Sequence, residues 1–220
     1  MSDTKIDVLV VRWYERRTTD VAARWLAAAR EHLPEAIPVR FGESEPLRGR
    51  GGDEEFTAAW ARADPLLFMT GKKPVYHMSL VGGAATKRGP VMVQSLNIVA
   101  DPHDVRVRAF ASAMASDQTF YVSASIAGGM TLDRNTLWGP AERPEEPYLA
   151  PMGDWLGLPP TPPAWCLFGP DYAKLAAYEE GSWVPERLQA RLGEIDPAQR
   201  YARKMPGGLR RTAWQLITGR

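Results

Sequence analysis

Three histidines, one cysteine and a few arginine-bearing loops are the places where this 220-residue chain could do chemistry. His77 and Ser79 lie in the alternating run Val75–Val81, so their side chains share one face of a strand. A serine beside a histidine can serve as nucleophile and base. This spacing sets the two side by side rather than in line, and no nucleophile elbow surrounds the serine. His103 belongs to Asp101-Pro102-His103-Asp104. Asp101, His103 and Asp104 could ligate a metal by type, but the run reads better as a helix start. Asp101 would cap, Pro102 would take the first helical position, and Asp104 would complement the helix dipole. A catalytic reading would make the chain a small hydrolase-like enzyme with a pocket around His77, Ser79 and His103. Histidines this widely separated form no zinc pattern, and no nucleotide fingerprint is present. Neither metal nor cofactor is expected.

Two loops could meet an anion or a partner. Gly42–Gly52 carries Arg48 and Arg50 on either side of Gly49. Gly82–Pro90 carries Lys87 and Arg88 among glycines. Glycine lets backbone N–H groups approach an anion closely. The second loop lacks the phosphate-loop spacing, however, and runs through Pro90 into a strand instead of a helix, so it reads as a hairpin turn. Arginine-rich loops suit partner recognition, which makes Arg48, Arg50, Lys87 and Arg88 the expected partner contacts. Cys166 sits in an apolar run with no electropositive neighbour to activate a thiol, so it reads as buried and inert.

The elements that must position these residues follow from periodicity. Ile6–Tyr14 is apolar on both faces, with Ile6, Val8 and Val10 opposing Leu9, Val11 and Trp13, which predicts a central, doubly covered strand. Thr18 or Thr19 would cap a helix burying Ala22, Trp25, Leu26, Ala29 and Leu33, stopped at Pro34. A strand at Ile37–Phe41 follows, then a helix capped by Asp53 with Phe56, Trp60 and Ala63 inward. Leu66–Met69 reads as a short strand. Val75–Val81, with Tyr76, Met78 and Leu80 on one face, and Val91–Val99 form a long-looped hairpin. Val107, Phe110, Ala111 and Met114 make the buried stripe of another helix before a strand at Thr119–Ile126. This order predicts one α+β domain over residues 1–220. Its sheet is mixed or antiparallel, of about five to six strands with helices on one face, ferredoxin-like in spirit.

Within that domain, residues 1–138 form the sheet–helix core. Residues 139–163 contain eight prolines and read as a stiff crossover that straps the fold. Residues 164–220 supply a strand at Ala164–Phe168 and short C-terminal helices. Trp165 and Phe168 are expected to be buried, and Pro159–Pro163 extended. The tryptophans are spread evenly, which suits anchors better than a base-stacking platform.

Composition bounds the rest. Hydrophobic residues make up 45% and charged residues 24%, enough apolar material for a core without a staple. A net charge of +1 gives no hint of a nucleic acid or membrane partner. Basic residues gather after Trp183, where a solvated helical face is the simplest account. The start, MSDTKIDVLVV, shows no signal-peptide pattern, and the reading is cytoplasmic. Abundant Ala, Arg, Gly and Pro suit a GC-rich bacterial genome.

The run Trp165-Cys166-Leu167-Phe168-Gly169-Pro170-Asp171-Tyr172 and the later Ala202-Arg203-Lys204-Met205-Pro206-Gly207-Gly208-Leu209 resemble bacterial polymorphic-toxin immunity proteins. The resemblance spans mainly residues 150–210 and transfers no site residue. It implies a non-catalytic protein that binds a toxin-like partner and blocks it. The alternatives are the small enzyme above and a non-catalytic subunit of a larger assembly.

Overall fold

The computed structural model describes residues 4–83, 91–133, 136–139 and 164–168. The central strand is β1 (Thr4–Arg16). It is followed by α1 (Val21–His32), a 3-10 turn at Pro34–Ala36, and β2 (Arg40–Gly42). Next come α2 (Asp53–Arg62), β3 (Leu66–Thr70), β4 (Val75–Val81) and β5 (Val91–Ile98). The described chain ends with α3 (Val105–Met114), β6 (Thr119–Asp133), β7 (Thr136–Trp138) and β8 (Trp165–Phe168). This is an α+β fold built on one sheet in the order β2-β3-β4-β5-β1-β6-β7, with β8 also paired to β6. Every ladder is antiparallel.

The eight strands exceed the expected five to six. The excess comes partly from β6, which runs on through Gly128 and Gly129 to pair antiparallel with β7. Those glycines broke the alternation on which the strand would have been recognised. The ferredoxin-like comparison also fails: β1 and β2 are separated by three strands instead of forming a parallel unit around α1. Helices do lie on one face, as anticipated.

The two faces of β1 divide as its sequence predicts. Leu9, Val11 and Trp13 join the main core with residues of all three helices. Val8 and Val10 join a smaller cluster with Ala127 and Leu137, packed by Ile6, Tyr76, Val99, Met130 and Leu132. The sheet curls so that β7 comes back against β4, and this second cluster fills the curl. A bulge in β4 between Val75 and His77 shifts the register. Tyr76 therefore packs into the curl while Met78 and Leu80 pack under the helices, so the three do not share a face.

Tryptophans pin this framework. Trp13, Trp25 and Phe110 meet edge to face, with centroids 5.0–5.8 Å apart. Each buried indole also donates to a main-chain carbonyl that no ladder or helix bond fills. Trp13 reaches Ala111 O at 2.9 Å, Trp25 reaches Ala36 O at 3.0 Å, and Trp60 reaches Val81 O at 2.6 Å. Trp165 on β8 reaches Pro102 O at 2.7 Å and is buried as expected. The Phe168 and Cys166 side chains, residues 140–163 and residues 169–220 lie outside the described residues, and with them the crossover and the C-terminal helices.

Helix starts differ from expectation in their cap residues. Asp20, not a threonine, holds the N-cap position of α1, and Thr18 instead accepts from Arg24. Gly52 holds the N-cap position of α2, and Asp53 pairs with Arg30. Asp104 caps α3 by accepting from the Arg106 N–H at 2.8 Å, while Asp101 accepts from the His103 N–H.

Candidate functional site

The hydroxyl and imidazole of the catalytic reading are both committed elsewhere. Ser79 bonds Ser95 across the β4–β5 ladder at 2.8 Å. His77 Nε2 accepts from the Leu137 N–H at 3.4 Å, across the seam where β7 returns to β4. Burial pushes the His77 pKa below its ordinary value, against the opposing pull of Glu45. The neutral imidazole is thus a strut between strands. His103 precedes α3, which packs on the other face of the sheet, so the three residues do not assemble. Among the described residues, no group of three or more His, Cys, Asp or Glu side chains could hold a metal ion. No helix among them is long and apolar enough to cross a membrane.

The Gly42–Gly52 loop is built differently. Phe41 and Gly49 exchange both backbone bonds, at 2.8 and 3.1 Å. A side chain at position 49 would put its Cβ 2.5 Å from the Phe41 ring, so only glycine allows this approach. Leu47 is buried and plugs the loop from beneath. Glu43 Oε2 accepts from the Asp64 N–H at 3.0 Å, tying the loop's start to the end of α2. Glu55 Oε2 accepts from the Gly52 N–H at 3.0 Å, tying the loop's end to the start of α2. The loop is therefore held at both ends of the helix, and Arg48 and Arg50 are exposed on it.

Between loop and helix runs an open groove of about 420 Å³. Its helix wall is the stripe Glu55, Ala58, Ala59 and Arg62, one face of α2 at helical spacing. Its loop wall carries Glu43 and Arg50, and Phe41 and Leu67 form an apolar floor. On the far side of that stripe, Thr57, Ala58 and Ala61 form a nearly flat strip. Arg48 and Arg50 were read from the sequence as contacts; the structure puts Arg50 in the groove and Arg48 beside it. Lys87 and Arg88 lie outside the described residues. Arg62 and the two anchoring glutamates were not read as site residues. The signal for Arg62 and Glu55 was the outward period of α2, hidden behind its inward stripe of Phe56, Trp60 and Ala63, and Glu43 in the loop had none.

A second polar cluster lies inside the main core. Glu15, with no exposed surface, accepts from Arg24 at 2.7 Å and from Gln94 Nε2 at 3.2 Å. Gln94 Oε1 accepts from the Val81 N–H at 2.8 Å. Arg24 also donates to the Met114 carbonyl at the end of α3. Burial pushes Glu15 above the ordinary carboxylate range, and Arg24 and Gln94 pull against it. Each of these side chains has a partner, so the cluster joins β1, β4, β5, α1 and α3 structurally.

No family model matches the sequence, and no curated protein matches it. Among solved structures, the chain is similar to the Pseudomonas aeruginosa T6SS protein PA0821, with a TM-score of 0.42 and 12% identity. The match covers 58% of this chain and 42% of that one, so the chain spans less than half of its neighbour's length. A likeness at that level says nothing of activity or partner.

Proposed function

We propose that the chain is a cytoplasmic bacterial binding protein that occludes a protein partner, acting as an immunity protein against a toxin-like target. The observation that carries this reading is the braced loop: Arg48 and Arg50 stand exposed on a segment fastened to both ends of α2. A loop already fixed loses little conformational entropy when a partner docks, so its exposed arginines contribute more of their contact energy. The immunity-protein resemblance of residues 150–210 supplies the class of partner. The competing hydrolase reading loses support because Ser79 and His77 are bonded to Ser95 and to the Leu137 backbone instead of to each other.

Co-expression tests the proposal. The chain is produced together with toxin candidates encoded beside its gene, and growth rescue and complex formation are scored. The expected result is rescue with a stoichiometric complex, protection of residues 42–62 from hydrogen exchange, and loss of rescue in R48E/R50E. Absence of any rescuing pair, together with a hydrolytic turnover that disappears in His77→Ala, would overturn it.

A further inference from the structure

We infer that the groove between α2 and the Gly42–Gly52 loop receives a carboxylate-bearing segment of a protein partner, held between Arg50 and Arg62. The inference rests on the binding-protein reading and names the partner's chemistry at that surface. It follows from which charged side chains of the groove already have a partner. Both glutamates in the groove are engaged by main-chain N–H groups, Glu43 by Asp64 and Glu55 by Gly52. Their role is to hold the walls. Asp53, at the start of α2, is paired with Arg30. Arg50 and Arg62 stand on facing walls, both exposed, and neither has an ion pair or hydrogen bond to a described residue.

Two guanidiniums over one groove offer forked donors that match a carboxylate's two oxygens. The floor narrows the occupant further. Phe41 and Leu67 make it apolar, so a fully hydrated small anion gains nothing there, whereas a peptide can lay an aliphatic side chain on it beside its carboxylate. At about 420 Å³ the groove has room for a few side chains rather than a folded element. Ala58 and Ala59 keep the helix wall low enough for a main chain to pass.

The test uses two blocked hexapeptides, one alternating leucine with glutamate and one alternating leucine with glutamine. Acetate and inorganic phosphate are run as free anions. Binding is read from the arginine Nε–Hε resonances of the full chain. The Leu–Glu peptide should shift Arg50 and Arg62 saturably, while the Leu–Gln peptide and both anions leave them in place. Arg50→Ala or Arg62→Ala should each weaken the Leu–Glu peptide about tenfold, equivalent to about 1.4 kcal/mol. Lys72→Gln, in the β3–β4 turn, should have no effect. Both arginines are exposed and neither bonds a described residue, so these variants fold. Equal shifts with phosphate would make this a free-anion site and overturn the proposal. So would affinity unchanged in Arg62→Ala, or no shift at either arginine. Such a failure with residues 42–62 still protected by a rescuing partner sinks the carboxylate assignment alone; loss of that protection sinks the binding-protein reading.

Discussion

Glu15 and Arg24 meet 2.7 Å apart where α1 crosses the end of β1, with the carboxylate fully enclosed and the guanidinium 15% exposed. The arginine divides its donors among Glu15, Asp20, Thr18 and the last carbonyl of α3. One side chain therefore fastens two helices to the central strand, and it answers a carbonyl that the end of α3 leaves open.

Removing the arginine should be far worse than neutralising the acid. Arg24→Met leaves a buried carboxylate without its countercharge and uncaps α3, a loss of about 3–5 kcal/mol. Glu15→Gln keeps the shape and can still accept from Arg24, so its cost is expected to be smaller. Urea unfolding of both variants checks the order. Equal stability for Arg24→Met and the parent chain would remove the network from the account of the core.

The same acid has a sign in pH. Its folded pKa is raised above 4.5 because burial outweighs Arg24 and Gln94, so the folded state takes up its proton before the unfolded state does. Its contribution to stability therefore improves as pH falls from the raised value towards 4.5 and fades as pH rises. Stability of the parent minus that of Glu15→Gln should grow on acidification through this window. A difference that is flat in pH would show that burial does not raise the pKa of this carboxyl on folding, and a difference that shrinks on acidification would show that it stays charged in the core.

His77 runs in the opposite direction. Burial lowers its folded pKa below 6.5, so the unfolded chain binds the proton first. Its stabilising share is complete above 6.5 and is lost as pH falls through the lowered folded value. Protonation would also give Nε2 a hydrogen and end its role as acceptor for Leu137. His77→Gln should flatten the acid side of the stability profile, measured by thermal unfolding across that range. A variant that keeps the parent's acid sensitivity would place the titrating group elsewhere.

How much of this could be read from the chain depends on which interactions are local. The split of β1 between two cores was legible because both faces of Ile6–Tyr14 are apolar, and Trp165 read as buried because its run is. The bulge that turns Tyr76 away from Met78 was not, since it depends on how β4 is held against β5 and β7. Arg62 was missed for a related reason. On α2 the apolar stripe is the loud signal, while a groove on the other side exists only because the loop is drawn against it by Glu43 and Glu55. Glu15 gave no signal at all: Arg24 lies on the next element and Gln94 far along the chain, and the pairing is a product of the fold.

Val81 offers a test of side chains acting as surrogate strands. Beyond the last β4–β5 pair, Ser79 with Ser95, its N–H is bound by Gln94 and its carbonyl by the Trp60 indole. Trp60→Phe keeps most of the packing but strands a buried carbonyl, which costs about 1–3 kcal/mol. Gln94→Leu strands the N–H and takes a donor from Glu15, and it should cost at least as much. Because the two groups belong to one peptide edge, the double variant should lose less than the sum of the singles. Strict additivity in urea unfolding would show that the two bonds act independently.

Gly49 links the fold to the proposed surface. Any side chain there meets the Phe41 ring at 2.5 Å and the Phe41 carbonyl at 2.6 Å, and Phe41 is itself stacked edge to face on Phe56 at 5.6 Å. The carbonyl is main chain and cannot swing aside as a ring could, so Gly49→Ala must push the loop outward and break its two bonds to Phe41. Overpacking of this kind costs about 1–3 kcal/mol. The more telling effect is on the groove, because Arg50 follows directly and moves with the loop while Arg62 stays on α2. Gly49→Ala should therefore lose partner protection at 42–62 at temperatures where the chain is still folded, as hydrogen exchange and circular dichroism together would report. Full protection of those residues in the folded variant would mean that the loop's position does not set the surface, and that the partner docks on α2 alone.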